Sequence, residues 1–399
     1  MYMGMVECRR VLRPVTALLL ALAVVLAGCH AGRLRGENYD ADGAPFIRWE
    51  APAGALQADA IAAEGPADTA RVAFRIILAG DTGEPVPEDP TLAAIGQWAV
   101  PPDRAAVLLL GDNLYPSGLE EDNRAWGESV LRQQLEATSA LRIFLPGNHD
   151  WGSSPRDWTG DRVIEQQEFV LDWPRGEVDF LPRDGCPGPA VRELLRPGQR
   201  MERGIAVIAI DWLPWFSEVH DGSKCPGGEF GQRIDDAFAA LENHYVILAS
   251  HYPLRSAGDR ADLDRGVFFD ILVNLYHLLL QPRSELTLHH PKYVDFAEKV
   301  EIALGRHRPL VYAAGHDHSL QLFEGDEVAR MHIVSGAGST GKVTRVTDLP
   351  ETIFAHAVPG FVVLDFVNLE GEGDGDPAVP VVRVVRTGQE TPVFQMRIP

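Results

Sequence analysis

The 399-residue sequence predicts an α/β fold. Short apolar runs rich in Val, Ile and Leu end abruptly at polar residues, and segments of helical period lie between them. Composition agrees: 45% hydrophobic and 23% charged residues are ordinary globular proportions, with chain enough for a sizeable core. In order, Ala73–Ala79 runs into Gly80-Asp81-Thr82-Gly83, Ala105–Leu110 into Gly111-Asp112-Asn113-Leu114-Tyr115, and Leu141–Leu145 into Pro146-Gly147-Asn148-His149-Asp150. Further on, Tyr245–Ala249 leads to Ser250-His251-Tyr252-Pro253, and Leu310–Ala314 to Gly315-His316-Asp317-His318. Such runs read as buried strands, and side chains at strand C-termini line the crevice where α/β sheets bind ligands. Trp126, Val130, Leu131 and Leu135 share one helical face, and Ile234, Phe238 and Leu241 another.

Charge narrows the partners. Lys and Arg number 36 against 57 Asp and Glu, a net charge of −21, which argues against nucleic acid held through its phosphates. An anionic substrate would need local positive charge, and metal ions are its densest source. At the N-terminus, Arg9, Arg10 and Arg13 precede the apolar run Val15–Leu26, too short for a membrane span and suited to a signal peptide over residues 1–28. The following Leu26-Ala27-Gly28-Cys29 resembles the lipobox of bacterial lipoproteins, in which Cys29 is lipidated; the alternative is a soluble secreted protein cut near Ala27. Residues 29–70 read as a flexible tether and 71–399 as one catalytic domain with insertions at about 152–200 and 256–305. Cys186 and Cys225, each in a Gly/Pro loop, are a candidate disulfide in an oxidising compartment or two separate thiols.

Gathered together, the polar strand ends offer Asp81, Asp112, Tyr115, Asn148, His251, His316 and His318: oxygen and nitrogen donors without a thiolate. Seven donors exceed one ion that must keep a position open, and they suit two ions about 3.5–4 Å apart sharing a carboxylate. Any one alone reads as a turn or a core residue. All of them in this order at strand ends do not.

These motifs resemble the calcineurin-like metallophosphoesterases, and within them the purple acid phosphatases, including the tartrate-resistant type. Many members carry Asp-x-His at the first strand end, whereas the third position here is Gly83; Gly111-Asp112-Asn113-Leu114-Tyr115 matches the Gly-Asp-x-x-Tyr of the purple branch. The resemblance covers most of residues 71–340 and implies a four-layer αββα sandwich of two mixed β-sheets flanked by helices. It implies that Asp81, Tyr115 and His318 hold Fe(III), that Asp112 bridges, and that Asn148, His251 and His316 hold a divalent ion: Fe, Zn or Mn. Two Asp and a tyrosinate would leave such a centre at about +2. The implied reaction is attack by metal-bound hydroxide on a small phosphate monoester, with His149 protonating the leaving group and Asp150 orienting His149. For His149 a purely structural hydrogen bond, and for Asp150 a turn cap, stay open. So do a phosphodiesterase or nucleotide pyrophosphatase activity and, in a different class, an inactive lipoprotein that binds phosphorylated ligands. The implied location is the cell envelope, facing the periplasm or exterior, with the membrane contacted through the N-terminal lipid.

Three other features have blander readings. Gly336-x-Gly338-x-x-Gly341 matches a dinucleotide fingerprint, yet Lys342–Val346 reads as strand rather than helix, which leaves a Gly-rich turn beside the metal site. His289-His290-Pro291 reads as an exposed loop, with substrate contacts as the alternative. The apolar run Val267–Leu280 is too short to span a membrane and reads as a buried helix, with a lid, dimer contact or membrane-facing patch as alternatives.

Overall fold

All five apolar runs become strands because β-formers with inward and outward side chains in alternation can bury both faces of a sheet. In the computed structural model, residues 45–48, 65–66, 69, 71–216, 225–258, 291–339, 341–368 and 378–399 are described, all within the unit Gly43–Pro399. The signal segment, Cys29, most of the tether, the run Val267–Leu280 and His289-His290 lie outside them. Among the described residues no helix is long and apolar enough to cross a membrane.

Among the described residues one sheet has eight strands in the order β1 (Phe46–Ile47), β12 (Thr352–His356), β10 (Leu320–Glu324), β11 (Met331–Ser335), β9 (Val311–Ala314), β8 (His244–Ala249), β7 (Gly204–Ala209) and β6 (Ala190–Leu195). The other has seven, β15 (Phe394–Arg397), β14 (Val379–Arg386), β13 (Gly360–Val367), β2 (Val72–Ala79), β3 (Ala105–Leu110), β4 (Leu141–Leu145) and β5 (Val178–Phe180). Both are mixed: β2 to β5 run parallel, as do β7, β8, β9 and β11, while the outer strands pair antiparallel.

The period of two decides the layers. Ile76 and Leu78 of β2, Leu108 of β3 and Ile143 of β4 join Val207, Ile247 and Ile333 of the other sheet in one core. Their neighbours Ile77, Val107 and Phe144 instead join residues of helices α1 (Pro90–Trp98) and α2 (Arg124–Glu136). Ile208 and Leu248 likewise share a cluster with Ile234 of a helix at Phe230–Ala239 and Val300 of a helix at Pro291–Leu304. Helix, sheet, sheet, helix is the resulting order.

Three sequence expectations are corrected. Trp126 is 42% exposed; the buried stripe of α2 is Gly127, Val130, Leu131, Gln134 and Leu135, because a side chain at 127 would meet Leu119 at 2.7 Å. The segment from Lys342 to Val346 is not a strand but irregular chain with one isolated bridge, Gly258 to Val346. Phe46–Ile47, read as part of a flexible tether over residues 29–70, is β1, paired antiparallel with β12; residues 152–200 supply a helix at Gly160–Leu171 and the edge strands β5 and β6. Cys186 and Cys225 form a disulfide with Cα atoms 5.5 Å apart.

Behind the seven-stranded sheet, Asp365 of β13 takes Arg75 Nε at 2.6 Å, Arg75 Nη2 at 2.9 Å and Arg383 Nε at 2.9 Å. All three side chains are fully buried, and Trp98 covers the Arg75 guanidinium at 4.9 Å. Removing one member leaves buried charge uncompensated, so Asp365→Ala should lower unfolding stability by about 3–5 kcal/mol in denaturant titration. A loss under about 1 kcal/mol would show that water reaches the pair.

Candidate metal centre

Parallel pairing puts the C-terminal ends of β2, β3 and β4 beside one another, and does the same for β8 and β9 in the facing sheet. The loops that follow hold all seven predicted donors, every one of them buried. Tyr115 Oη lies 2.9 Å from Asp81 Oδ1, 3.0 Å from Asp112 Oδ2 and 3.2 Å from His318 Nε2. Donor atoms of Asp81, Asp112 and His318 all fall within 4.8 Å of one another. Beside them, Asn148 Oδ1 is 3.2 Å from His251 Nε2 and 3.1 Å from His316 Nδ1, while those two nitrogens are 3.2 Å apart. His251 Nε2 reaches Asp112 Oδ1 at 3.4 Å, which joins the two groups through Asp112.

Local structure holds these side chains in place. Asp81, Asp112 and His316 have φ of 61°, 54° and 71°, a left-handed conformation that L residues adopt at a cost of about 1–3 kcal/mol each and that clusters at functional sites. Each turn is tied down: the His316 N–H donates to Asp81 Oδ2 at 2.8 Å and the His149 N–H to Asp112 Oδ1 at 2.8 Å. Gly83 lies so close to the next loop that a Cβ would stand 2.5 Å from Leu114 N. No side chain can occupy that position. Its carbonyl accepts the Tyr115 N–H at 3.2 Å instead, and Tyr115 projects into the site.

The donor set fits metal ions. His251 Nδ1 donates to the Leu110 carbonyl at 2.8 Å and His318 Nδ1 to the Lys342 carbonyl at 2.6 Å, so the Nε2 lone pair of each neutral ring points inward. Tyr115 has one proton for two carboxylates. Burial, then Asp112 and Asp81, push its hydroxyl well above the ordinary tyrosine range; only a cation reverses that sign. Asp112 is driven the other way: burial raises it, but His251, His149 and the His149 N–H together hold it well below the usual carboxylate range.

Asp150 does not orient the His149 ring. Its carboxylate accepts the N–H groups of Gly147 at 2.7 Å, Asn113 at 3.0 Å and Leu114 at 3.1 Å, and the Asn113 amide at 3.1 Å. It therefore clasps the β3 and β4 loops together, and burial followed by the charge of Asp112 pushes it up. The His149 ring is held by the Pro116 carbonyl, 2.8 Å from Nδ1, and packs on Tyr115 with centroids 4.6 Å apart.

Sequence reasoning missed Asp211 and Lys342. Asp211 follows β7, another apolar run with a polar end, and accepts from Trp151 Nε1 at 3.0 Å and Leu213 N at 2.9 Å. Burial pushes its carboxyl up to about 7 against those donors. Lys342 Nζ sits 4.1 Å from the Tyr115 ring centroid, a contact that sequence spacing does not foretell. Gly336, from the glycine fingerprint, borders the site: a Cβ there would stand 2.8 Å from Asp81 Oδ2.

Residues 74–320, more than half of the chain, match the family described as calcineurin-like phosphoesterase, and the chain belongs to that family. It is a hydrolase with a metallophosphoesterase sandwich, and the family implies two metal ions at this site. Three solved structures are similar. GAP50, the anchor in the inner membrane complex of Plasmodium, is 17% identical at a TM-score of 0.48 over 82% of this chain and 88% of that one. A purple acid phosphatase from yellow lupin seeds is 13% identical at 0.48 over 81% and 53%. A dimetal phosphatase from Danio rerio is 15% identical at 0.44 over 82% and 99%. A search of curated sequences finds no match.

Because Asp112 touches both donor groups, Asp112→Ala should cut bound metal from two equivalents to less than one by elemental analysis, with the far-ultraviolet circular dichroism of the wild type. Retention of two equivalents would remove Asp112 as the shared ligand.

Proposed function

We propose that the chain is a purple acid phosphatase-like hydrolase of small phosphate monoesters, using Fe(III) and a divalent ion. The observation that carries this reading is the Tyr115 hydroxyl between Asp81, Asp112 and His318, with Gly83 leaving no room for the alternative histidine. A phenolate is a hard anionic donor suited to Fe(III). In this reading the protein stands at the cell envelope on a lipid at Cys29, with a tether that ends before Phe46, where β1 joins the sheet.

When bound, the two ions would supply a Lewis acid for phosphoryl oxygens and an activated water. Asp81, Tyr115 and His318 would hold one, Asn148, His251 and His316 the other, and Asp112 both. The chain's remaining task is the leaving group, which departs as an alkoxide and needs a proton. A protonated His149 spends Nδ1–H on the Pro116 carbonyl, which leaves Nε2–H on the other side of the ring to donate to a leaving group. Packing against Tyr115 keeps the ring near the reacting centre.

His149→Ala should lower kcat by about 10²–10⁴-fold on alkyl phosphates while leaving bound metal unchanged. Aryl phosphates with acidic leaving groups should lose far less. Metal loss in this variant would make His149 a ligand and overturn the role.

Colour tests the phenolate. Iron-loaded protein should show a visible charge-transfer band that Tyr115→Phe abolishes with metal still bound. A band of undiminished strength in that variant would sink the assignment, as would a colourless, fully iron-loaded wild type.

A further inference from the structure

A cavity of about 280 Å³ opens at the other end of the eight-stranded sheet. Its wall comes from residues at strand starts: Arg203 before β7, His244 and Tyr245 in β8, Arg306 and Arg308 before β9, and Arg330 before β11. These strands run parallel, so their starts lie about 20 Å from the ends that carry His251 and His316, one strand length away.

Among the described residues, four arginines and a single carboxylate, Glu242, stand on that wall in a protein of net charge −21. Arg306 is forked onto Asp235 at 3.1 Å through both Nε and Nη2. Arg203 lies 4.3 Å from the Tyr245 ring centroid with Nη2 on the His244 carbonyl at 2.6 Å. Arg308 uses Nε alone, on the Asp326 carbonyl at 2.7 Å. The Arg330 guanidinium makes no hydrogen bond or ion pair among the described residues; only its N–H is engaged, on the Pro309 carbonyl at 3.0 Å. Two guanidinium groups thus keep most of their donors unspent.

One further observation concerns the backbone of this wall. Arg308 sits at φ 49°, the same left-handed strain found at Asp81, Asp112 and His316, with its N–H tied to Leu304 O at 2.8 Å. Below the arginines His244, 9% exposed, donates Nε2–H to Glu193 at 3.0 Å.

We propose that this cavity is a second anion site that takes the phosphoryl group of orthophosphate or of a small phosphomonoester. Arg308 and Arg330 present planar forks that match phosphate oxygens. The volume falls just below that of drug-sized sites, which confines an organic group to a few atoms. Nothing in this assignment depends on the chemistry of the metal centre.

Equilibrium dialysis of radiolabelled phosphate against metal-loaded protein tests it. Arg308→Gln/Arg330→Gln should lose one equivalent of bound phosphate, or weaken it at least tenfold, with turnover and competitive inhibition by phosphate unchanged. If the metal centre takes no phosphate, the wild type binds one equivalent and the variant none, so failure of the catalytic reading shows separately. A variant that binds as many equivalents as the wild type, equally tightly, overturns the site. Should the double variant not fold, Arg330→Gln alone gives the same readout, since its side chain bonds to no described residue. Methylphosphonate competing for this equivalent more tightly than phosphate would identify the organic ester as its ligand; weaker or equal competition would identify free phosphate.

Discussion

Two buried carboxylates and a phenol oxygen, Asp81, Asp112 and Tyr115, stand about a hydrogen bond apart with one proton among them. Like charges that close in a buried site repel by several kcal/mol unless a cation intervenes. The rest of the site is arranged around this constraint. Asp150 gathers three backbone N–H groups to clasp the β3 and β4 loops, the Leu110 and Lys342 carbonyls fix two imidazoles with Nε2 inward, and three donor residues adopt left-handed backbone. At about 1–3 kcal/mol each, those three conformations together rival half the stability of an ordinary domain. They persist because parallel strand pairing and ion binding both favour them.

Strand ends made the fold and the donors legible. Val, Ile and Leu runs that stop at Gly-Asp or Gly-His declare a buried parallel strand and a ligand-bearing loop together, because both faces are covered until the chain leaves the sheet. What failed depended on contacts that sequence separation hides. Trp126 belongs to the right periodic pattern, but the close approach of Leu119 gives the buried position to Gly127. Asp150 is adjacent to His149 in sequence, yet the α-helical turn Asn148–Trp151 sends the two side chains to different partners. Gly83 is the instructive case: its missing side chain is a steric requirement of the Tyr115 loop rather than a lost histidine.

The two ends of the eight-stranded sheet differ in chemistry. At the strand ends, carboxylates, imidazoles and a phenol crowd into a buried space that calls for cations; at the strand starts, arginines line an open cavity that calls for an anion. The buried Arg75–Asp365–Arg383 cluster lies behind the other sheet and serves neither. Separating the two kinds of charge by a strand length keeps the arginines from neutralising the ligand carboxylates, at a distance where salt screens most of their mutual field.

Anomalous diffraction from crystals of the iron-loaded protein tests the central claim most directly. The account predicts two peaks about 3.5–4 Å apart, one bounded by Asp81, Tyr115 and His318, the other by Asn148, His251 and His316, with Asp112 touching both. A single peak at full metal loading, or an iron peak that Tyr115 does not reach, would contradict it.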